Sequence, residues 1–265
     1  MPKRKKIAVL VEEESFFLPN LLAKLASKKL IQTIIVYAPP FSWKRLKRNI
    51  RRMIHFLGWY RCVMVIVSLM LCKIADRCFR KRFYSVTKVA RAFHLPLKKI
   101  LKIHSKEFYT LIERYELSTI FTQLTIRIKE PLLSKTEFWN KHCGLLPAYK
   151  GVYPVFWKKL HGQKEMGLTL HRIDEQFDTG PILSETSLED KEYSFFKAYH
   201  LLYDLSAELL TDLCLNDKRH ILRDKASVPA YYSYPTREDR RRFLKRHRFG
   251  FPFRIHPKIW PSGVS

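Results

Sequence analysis

Glycine is scarce in this chain of 265 residues, and its few copies do not form phosphate-binding loops. Only eight glycines are present, and five of them lie between residues 144 and 180. Neither a G-x-G-x-x-G pattern nor a P-loop occurs, which gives little support to a nicotinamide-dependent or nucleotide-hydrolysing enzyme. Because glycine permits sharp turns and close approach of a ligand, the cluster marks residues 144–180 as a specialised segment.

Cysteine pairs and long apolar stretches are also missing. The five cysteines have no C-x-x-C spacing, so no metal site is predicted, and their odd number without a secretion signal favours reduced thiols. The uncharged run Cys62–Cys72 would span about 16 Å as a helix, against about 30 Å of hydrocarbon in a bilayer. We therefore expect a cytoplasmic protein, and peripheral contact with the inner face of the membrane stays open.

Acidic residues are nearly absent from one stretch of the chain. Residues 41–102 contain 17 Lys and Arg and a single acid, Asp76, while residues 237–258 contain nine basic residues and two acids. Residues 103–236 are almost balanced, with 17 basic and 18 acidic residues. The formal net charge of +26 therefore belongs mainly to one inserted region and one tail. A protein that binds nucleic acid over its whole surface does not need that segregation.

The remainder of the chain alternates between strand-like and helix-like patterns. Residues 7–11 and 31–37 are apolar runs typical of buried parallel strands, and residues 18–29 between them have helical spacing. Further strands are predicted at 100–103, 118–124, 138–142 and 167–172, and further helices at 105–115, 132–135, 153–160 and 194–215. This order predicts an α/β fold with a Rossmann-like, doubly wound and mostly parallel sheet.

The basic stretch interrupts this pattern and suggests a division of the chain. We expect a main domain formed by residues 1–40 and 96–190, into which a basic and partly apolar helical insertion, residues 41–95, is placed. Residues 191–265 are expected to add a C-terminal helix and a basic tail, as a small extension.

Asn140, His142 and Asp178 are the candidate catalytic residues. Asn140 and His142 are two apart on a predicted strand, so their side chains share one face. An amide can donate to a developing oxyanion and an imidazole can move a proton near neutral pH, which suits acyl transfer. A carboxylate close by, such as Asp178, would fix the imidazole tautomer and raise its pKa. The plainer alternative is a loop cap, a core histidine and a turn residue.

The segment 140–183 resembles the core of the folate-dependent formyltransferase family. The family pattern is Asn-x-His, Leu-Leu-Pro-x-Tyr-Arg-Gly, Pro-x-x-Trp, Gly-x-Thr-x-His and Asp-Thr-Gly. The matching residues are Asn140, His142, Leu145, Leu146, Pro147, Tyr149, Gly151, Pro154, Trp157, Gly167, Thr169, His171, Asp178, Thr179 and Gly180. The departures are Lys141 for an apolar residue, Cys143-Gly144 for Pro-Ser, and Lys150 for Arg. The resemblance extends over residues 100–185, and it does not include residues 41–95.

This resemblance implies transfer of a formyl group from 10-formyltetrahydrofolate to an amine. Asn140 would stabilise the oxyanion and His142 would handle the proton. Asp178 would orient His142 and help to deprotonate the amine. The donor's pterin would pack against main chain, and the residues implied to surround it are Leu124, Thr125, Ile126, Leu145, Leu146, Pro147 and the loop from Asp174 to Asp178. For the two leucines, ordinary core packing is an equal alternative.

Differences between this chain and known relatives limit which amine can be the acceptor. Purine-pathway relatives carry a glycine-rich phosphate loop where this chain has the acidic and bulky residues 12–17. Only 85 residues follow Gly180, so the C-terminal barrel of the tRNA-directed relatives is not expected. Residues 151–157 and 228–243 resemble segments of sugar-modifying relatives. The predicted acceptor is therefore an amino sugar, nucleotide- or lipid-linked, used in surface polysaccharide synthesis.

The tyrosines of the tail and the basic insertion leave alternatives open. Tyr231, Tyr232 and Tyr234 either stack on the base or sugar of the acceptor or form an ordinary β-edge. The insertion either lies on an anionic membrane surface or packs as a solvated hairpin on the main domain or a second subunit. Binding to nucleic acid is the least favoured interpretation.

Two other functions remain beside formyl transfer. A catalytically silent relative would act as an adaptor that binds a membrane or nucleic acid through the insertion. A hydrolase would use the same three residues with water as the acceptor. The intact set of Asn140, His142 and Asp178 favours an enzyme over an adaptor, because an adaptor has no need of it.

Overall fold

The computed structural model describes residues 5–217, 220–222 and 230–259. The helices and strands are, in chain order, β1 (Ile7–Val11), α1 (Leu18–Ser27), β2 (Ile31–Tyr37), α2 (Trp43–Leu57), α3 (Trp59–Cys78), α4 (Val86–Ala92), β3 (Leu97–Ile100), α5 (Lys106–Arg114), β4 (Thr119–Thr122), α6 (Leu132–Lys135), β5 (Glu137–His142), β6 (Lys150–Gly151), α7 (Pro154–Leu160), β7 (Glu165–Arg172), β8 (Ile182–Glu189), α8 (Phe195–Asn216), β9 (Tyr231–Tyr232) and α9 (Arg237–Leu244).

Seven of these strands form one sheet in the order β3-β2-β1-β4-β5-β7-β8. The five strands from β3 to β5 run parallel, whereas β7 and β8 are antiparallel to their neighbours. The short strands β6 and β9 pair separately, in parallel. The prediction of a doubly wound, mostly parallel sheet is confirmed.

Strand β1 shows why the sheet is buried on both faces. All five of its residues are fully buried, and alternate side chains enter different cores. Ile7, Val9 and Val11 join a cluster with α1, α4, α7 and α8, whereas Ala8 and Leu10 join a cluster with α5 and α6. Because helices cover both faces, the strand needs a continuous apolar run and not an alternating one.

Helix α8 is part of this packing and lies across α1. Its Asp204 carboxylate accepts hydrogen bonds from Asn20 Nδ2, Lys24 Nζ and Arg254 Nη1, each at 2.8 Å. These partners lower the pKa of Asp204 against the upward effect of burial. Residues of α4 and α8 belong to the same core cluster as the sheet. The division of the chain into an insertion at residues 41–95 and an extension at residues 191–265 therefore stays a proposal.

Helices α2 and α3 are the exception to this compact packing. They meet at Gly58 with a bend of 113°, and only a few of their residues are buried. No single helix among the described residues is long and apolar enough to cross a membrane, although this bent pair passes the same test taken together. The run Cys62–Cys72 lies inside the longer helix α3.

Several boundaries differ from the sequence-based expectation. The strand predicted at 100–103 is formed by Leu97–Ile100, because these residues pair with Ile34–Tyr37 of β2 and the chain bends away after them. Strand β8, strand β9 and helix α9 were not predicted, since the sequence there is polar and β8 alternates only weakly. Residues 228 and 229, at the start of the segment 228–243 that resembles sugar-modifying relatives, lie outside the described residues.

Buried histidines make the fold sensitive to acid. His200 Nε2 donates to Pro252 O at 2.9 Å, and burial lowers the pKa of His200 to about 4. The unfolded chain takes up the proton near pH 6.5, so this stabilisation is complete above that pH and is lost as pH falls towards 4. We expect His200→Gln to remove up to about 3 kcal/mol of the difference in unfolding free energy between neutral and acid pH.

Urea unfolding of the wild type and the variant at both pH values measures this difference. His104→Gln is the matched control, because His104 is exposed. An unchanged pH dependence in the His200 variant would contradict the assignment.

Candidate active site

The pairing of β5 with β7 places two polar side chains opposite each other. Asn140 of β5 faces His171 of β7 in register, and Asn140 Nδ2 donates to His171 Nε2 at 3.3 Å. Asn140 and His142 point to the same face of the sheet, as their spacing predicted, while Lys141 points to the other face. There Lys141 Nζ lies 3.1 Å from the centre of the Tyr203 ring.

Asp178 reaches this pair from the loop between β7 and β8. Its Oδ1 lies 3.6 Å from His142 Nδ1 and 3.7 Å from His171 Nε2, and its Oδ2 accepts from Gly151 N at 2.8 Å. Asp178 has a φ of 56°, in the left-handed region that Asp tolerates better than most residues. The three predicted catalytic residues are therefore brought together, with His171 as a fourth member.

Backbone carbonyls orient both imidazoles. His142 Nε2 donates to Tyr149 O at 2.7 Å, and His171 Nδ1 donates to Arg172 O at 2.7 Å. In the neutral state, each ring therefore presents its bare nitrogen to Asp178. The sequence-based expectation that Asp178 orients His142 needs correction, because 3.6 Å exceeds a hydrogen-bond distance and the carbonyl of Tyr149 sets the ring.

Burial decides the protonation of these rings. It lowers the pKa of His142 and of His171, while the negative charge of Asp178 acts in the opposite direction on both. Asp178 therefore raises the pKa of His142 as expected, but burial outweighs this effect and the net shift is downward. Both imidazoles are neutral near pH 7, and His142 can accept a proton on Nδ1, which faces Asp178.

A small cavity lies beside Asn140 and His171. Its volume is about 30 Å³, far below the roughly 300 Å³ of the smaller ligand pockets. The predicted folate-binding residues at its wall are Leu124, Ile126 and Asp174, whereas Thr125 is exposed outside it. The Arg127 guanidinium lies 5.1 Å from the centre of the Phe177 ring, and both side chains also border the cavity. A ligand the size of a pterin would fit there only if the loop between β7 and β8, which carries Asp174 and Phe177, moved outwards.

The second part of the predicted folate-binding set lies elsewhere. Leu145 and Leu146 line a separate groove of about 550 Å³, together with Tyr149 and Lys158, and Pro147 is exposed. The turn is held by Thr169, whose hydroxyl donates to Gly144 O at 2.8 Å and accepts from Leu146 N at 3.2 Å. The structure therefore does not bring the two halves of the set to one cavity.

The tail tyrosines form an edge beside the site. Strand β9 pairs with β6 through Gly151 and Tyr232, and the Tyr232 ring stacks on Tyr149 and Trp157 at 5.2 and 5.1 Å between centres. Trp157 Nε1 donates to the carbonyl of Ser233 at 3.3 Å. Tyr232 is thus engaged in packing, while Tyr231 remains 63% exposed.

Three contributors were missed from the sequence. His171 belongs to the Gly-x-Thr-x-His motif and could have been included from that signal. The carbonyl of Tyr149 and the N–H of Gly151 are main-chain groups, which leave no mark in a list of side chains. Within the described residues, no group of three or more His, Cys, Asp and Glu side chains could hold a metal ion.

Comparison with known proteins finds formyltransferases among the similar sequences. Residues 128–193 match the family described as "Formyl transferase". The chain is 31% identical over 156 residues to methionyl-tRNA formyltransferase of Thermosipho africanus, a match that covers 58% of this chain and 51% of the relative.

Over this part of its length the chain is therefore similar to formyltransferases. It is also 43% identical over 65 residues to GDP-perosamine N-formyltransferase of Brucella melitensis, a match that covers 24% of this chain and 25% of the relative. The chain spans about half the length of the Thermosipho relative.

A solved structure gives the same fold. The N-formyltransferase of Helicobacter canadensis, described as a complex with folinic acid and dTDP-3-aminofucose, superimposes with a TM-score of 0.52. The two sequences are 18% identical, and the match covers 86% of this chain and 71% of that one. At this identity the likeness establishes the fold alone.

The charge of Asp178 can be tested through the two histidines. Because Asp178 raises the pKa of both rings, Asp178→Asn should lower the pKa of His142 and of His171 further. NMR titration of the histidine ring protons measures both values. Asp174→Asn is the matched control, since Asp174 raises the pKa of His171 alone. A His142 pKa that does not move in Asp178→Asn would contradict the arrangement.

The approach of β9 to β6 leaves no space for a side chain at Gly151. A Cβ there would lie 2.3 Å from Tyr232 O, and the residue has a φ of 94°. We expect Gly151→Ala to cost more than about 1–3 kcal/mol of unfolding free energy and to displace Asp178. Gly162→Ala is the control, because Gly162 has a φ of 70° but open space, and should cost only about 1 kcal/mol. Equal losses in urea unfolding would refute the close approach.

Proposed function

We propose that this protein transfers a formyl group from 10-formyltetrahydrofolate to the amine of an amino sugar. The observation that carries the proposal is the position of Asp178 Oδ1, between the bare nitrogens of two neutral imidazoles and beside Asn140. This arrangement can accept one proton and stabilise one developing negative charge, which is what acyl transfer to an amine requires.

Asn140 is suited to the negative charge. Its amide has two N–H groups, one of which is used on His171, so the other is available to the formyl oxygen as the new C–N bond forms. Its Oδ1 is buried without a hydrogen-bond partner, which marks a polar site for a ligand to complete. Preorganised donors of this kind contribute about 10²–10³ in rate.

The histidines and Asp178 are suited to the proton. The attacking amine must lose one proton as its nitrogen bonds to the formyl carbon, and the bond from that carbon to the donor nitrogen breaks. His171 Nε2 already accepts from Asn140, so a proton that enters beside Asp178 Oδ1 has the Asp178 carboxylate and His142 Nδ1 as its basic partners. The same group can then return the proton to the leaving nitrogen.

Leu124, Ile126 and Asp174 are the residues that we assign to the donor, because they surround Asn140. The folinic acid named for the Helicobacter canadensis enzyme is a formylated folate, which supports this class of donor. Bound there, the donor would supply the activated formyl group.

The acceptor proposal is supported by the sugar-directed relatives. The Brucella melitensis relative is named for GDP-perosamine, and the Helicobacter canadensis structure for dTDP-3-aminofucose. Tyr231 is exposed next to Gly151, where it could stack on a base or sugar. We propose a nucleotide- or lipid-linked amino sugar for surface polysaccharide, handled by a cytoplasmic enzyme that works at the surface of the membrane.

The proposal predicts acceptor-dependent release of tetrahydrofolate. Asn140→Ala should reduce the turnover rate about 10²–10³-fold, and His142→Ala and Asp178→Asn about 10²–10⁴-fold. The assay mixes the protein with 10-formyltetrahydrofolate and a panel of dTDP- and GDP-linked amino sugars. Initiator methionyl-tRNA is included as a competing acceptor.

Asn49→Ala and His104→Ala are matched controls, since they make the same changes at exposed positions and should leave the rate unchanged. Release without any acceptor would indicate a formyl-folate hydrolase instead. Formylation of the tRNA alone would overturn the amino-sugar assignment. A folded protein that neither binds the donor nor releases folate would be a catalytically silent adaptor.

A further inference from the structure

Helix α3 exposes an apolar face that nothing in the described chain covers. Its buried residues form a narrow seam of small side chains, Cys62, Ser68, Cys72 and Ala75. Large apolar residues that are 37–72% exposed occupy much of the remaining circumference: Trp59, Tyr60, Val63, Ile66, Val67, Leu69, Met70 and Ile74. A surface helix of a soluble domain normally presents polar residues to water over that arc.

Helix α2 adds an exposed apolar stripe and a cationic flank. Trp43, Leu46, Ile50 and Ile54 recur every three or four residues and are 37–68% exposed. The exposed basic residues beside them are Lys44, Lys47, Arg48 and Arg51. We call these four apolar residues and the eight of α3 the α2–α3 surface.

The size of this surface calls for a partner. Monomeric soluble proteins rarely expose contiguous apolar patches larger than a few hundred Å². Twelve large apolar side chains on two consecutive helices form an unusual concentration. Single apolar residues scattered over a surface do not require a partner. The twelve residues of the α2–α3 surface, in contrast, lie on two consecutive helices.

Charge distinguishes between the possible partners. A second copy would bring two segments of +16 together, and their single acid, Asp76, already accepts from Tyr84 N and Ser85 Oγ at 2.8 Å. Nucleic acid would satisfy the basic residues and leave the aliphatic ones in water, because such interfaces are polar and charged. An anionic bilayer offers acyl chains for the apolar residues and phosphates for the cations.

We propose that the α2–α3 surface docks on an anionic lipid bilayer, with both helices lying in the interface. The 113° bend at Gly58 prevents a straight crossing, and Trp59 and Tyr60 at the bend suit the headgroup level. This inference does not depend on formyl transfer, since it rests on residues outside the candidate active site.

Residues of the C-terminal extension hold the bend in place. Arg240 Nη1 donates to Ile54 O at 2.9 Å and to His55 O at 3.0 Å, and the Arg52 guanidinium lies 4.4 Å from the centre of the Tyr234 ring. Docking would therefore fix the orientation of the whole domain on the bilayer. Tyr234 belongs to the same short segment as β9, which pairs with β6 beside the candidate active site.

Vesicle binding by the full chain tests the proposal. Vesicles of phosphatidylcholine mixed with phosphatidylglycerol should bind the protein, and vesicles of phosphatidylcholine alone should bind it much less. The double substitution Val67→Glu with Met70→Glu should weaken binding at least about tenfold, because it places charges in the acyl region. Replacing Lys44, Lys47, Arg48 and Arg51 by Gln should weaken it by up to about a thousandfold on anionic vesicles.

Ile221→Glu is the matched control. Ile221 is 53% exposed but lies outside α2 and α3, next to His220, whose carbonyl accepts from Glu185 N of β8, so binding should not change. Thermal unfolding of each variant shows that the fold is retained. Three results would overturn the proposal: equal binding after Val67→Glu with Met70→Glu, binding of RNA but of no vesicle, or self-association through α3 that vesicles do not reverse.

Discussion

The antiparallel pairing of β5 with β7 is the constraint on which the candidate active site depends. It places Asn140 and His171 opposite each other on one face of the sheet, close enough for a hydrogen bond of 3.3 Å. A shift of β7 by one residue would turn His171 to the face where Lys141 now lies and would separate it from Asn140. The loop between β7 and β8 then places Asp178 within 3.7 Å of both imidazoles.

Burial gives this group its chemistry. Imidazoles in contact with water would be partly protonated near pH 6.5, whereas His142 and His171 are kept neutral by the cost of burying a charge. Main-chain carbonyls use the N–H of each ring, so the basic nitrogens both face Asp178. On one side of the group, the ring of Tyr232 stacks on Tyr149, whose carbonyl accepts from His142.

The sheet and the helix pair α2–α3 differ in how far their apolar side chains are buried. In the sheet, helices on both faces bury the apolar runs, and Ile7–Val11 has no exposed residue. Helices α2 and α3 instead keep most of their apolar side chains at the surface, among the cations of residues 41–102. Stability alone does not account for that exposure, which is why an external apolar phase is the partner that we infer.

The sequence by itself determined the α/β class, most strands and helices, and the shared face of Asn140 and His142, because periodicity is local and records which side of an element is buried. The motif spacing also indicated the resemblance to formyltransferases, because those residues lie close together in the chain. Only the tertiary structure decided that His171 joins the site, that carbonyls rather than Asp178 orient the imidazoles, and that burial lowers the pKa of His142. Those outcomes depend on main-chain groups and desolvation contributed by residues distant in the chain, which no local pattern encodes.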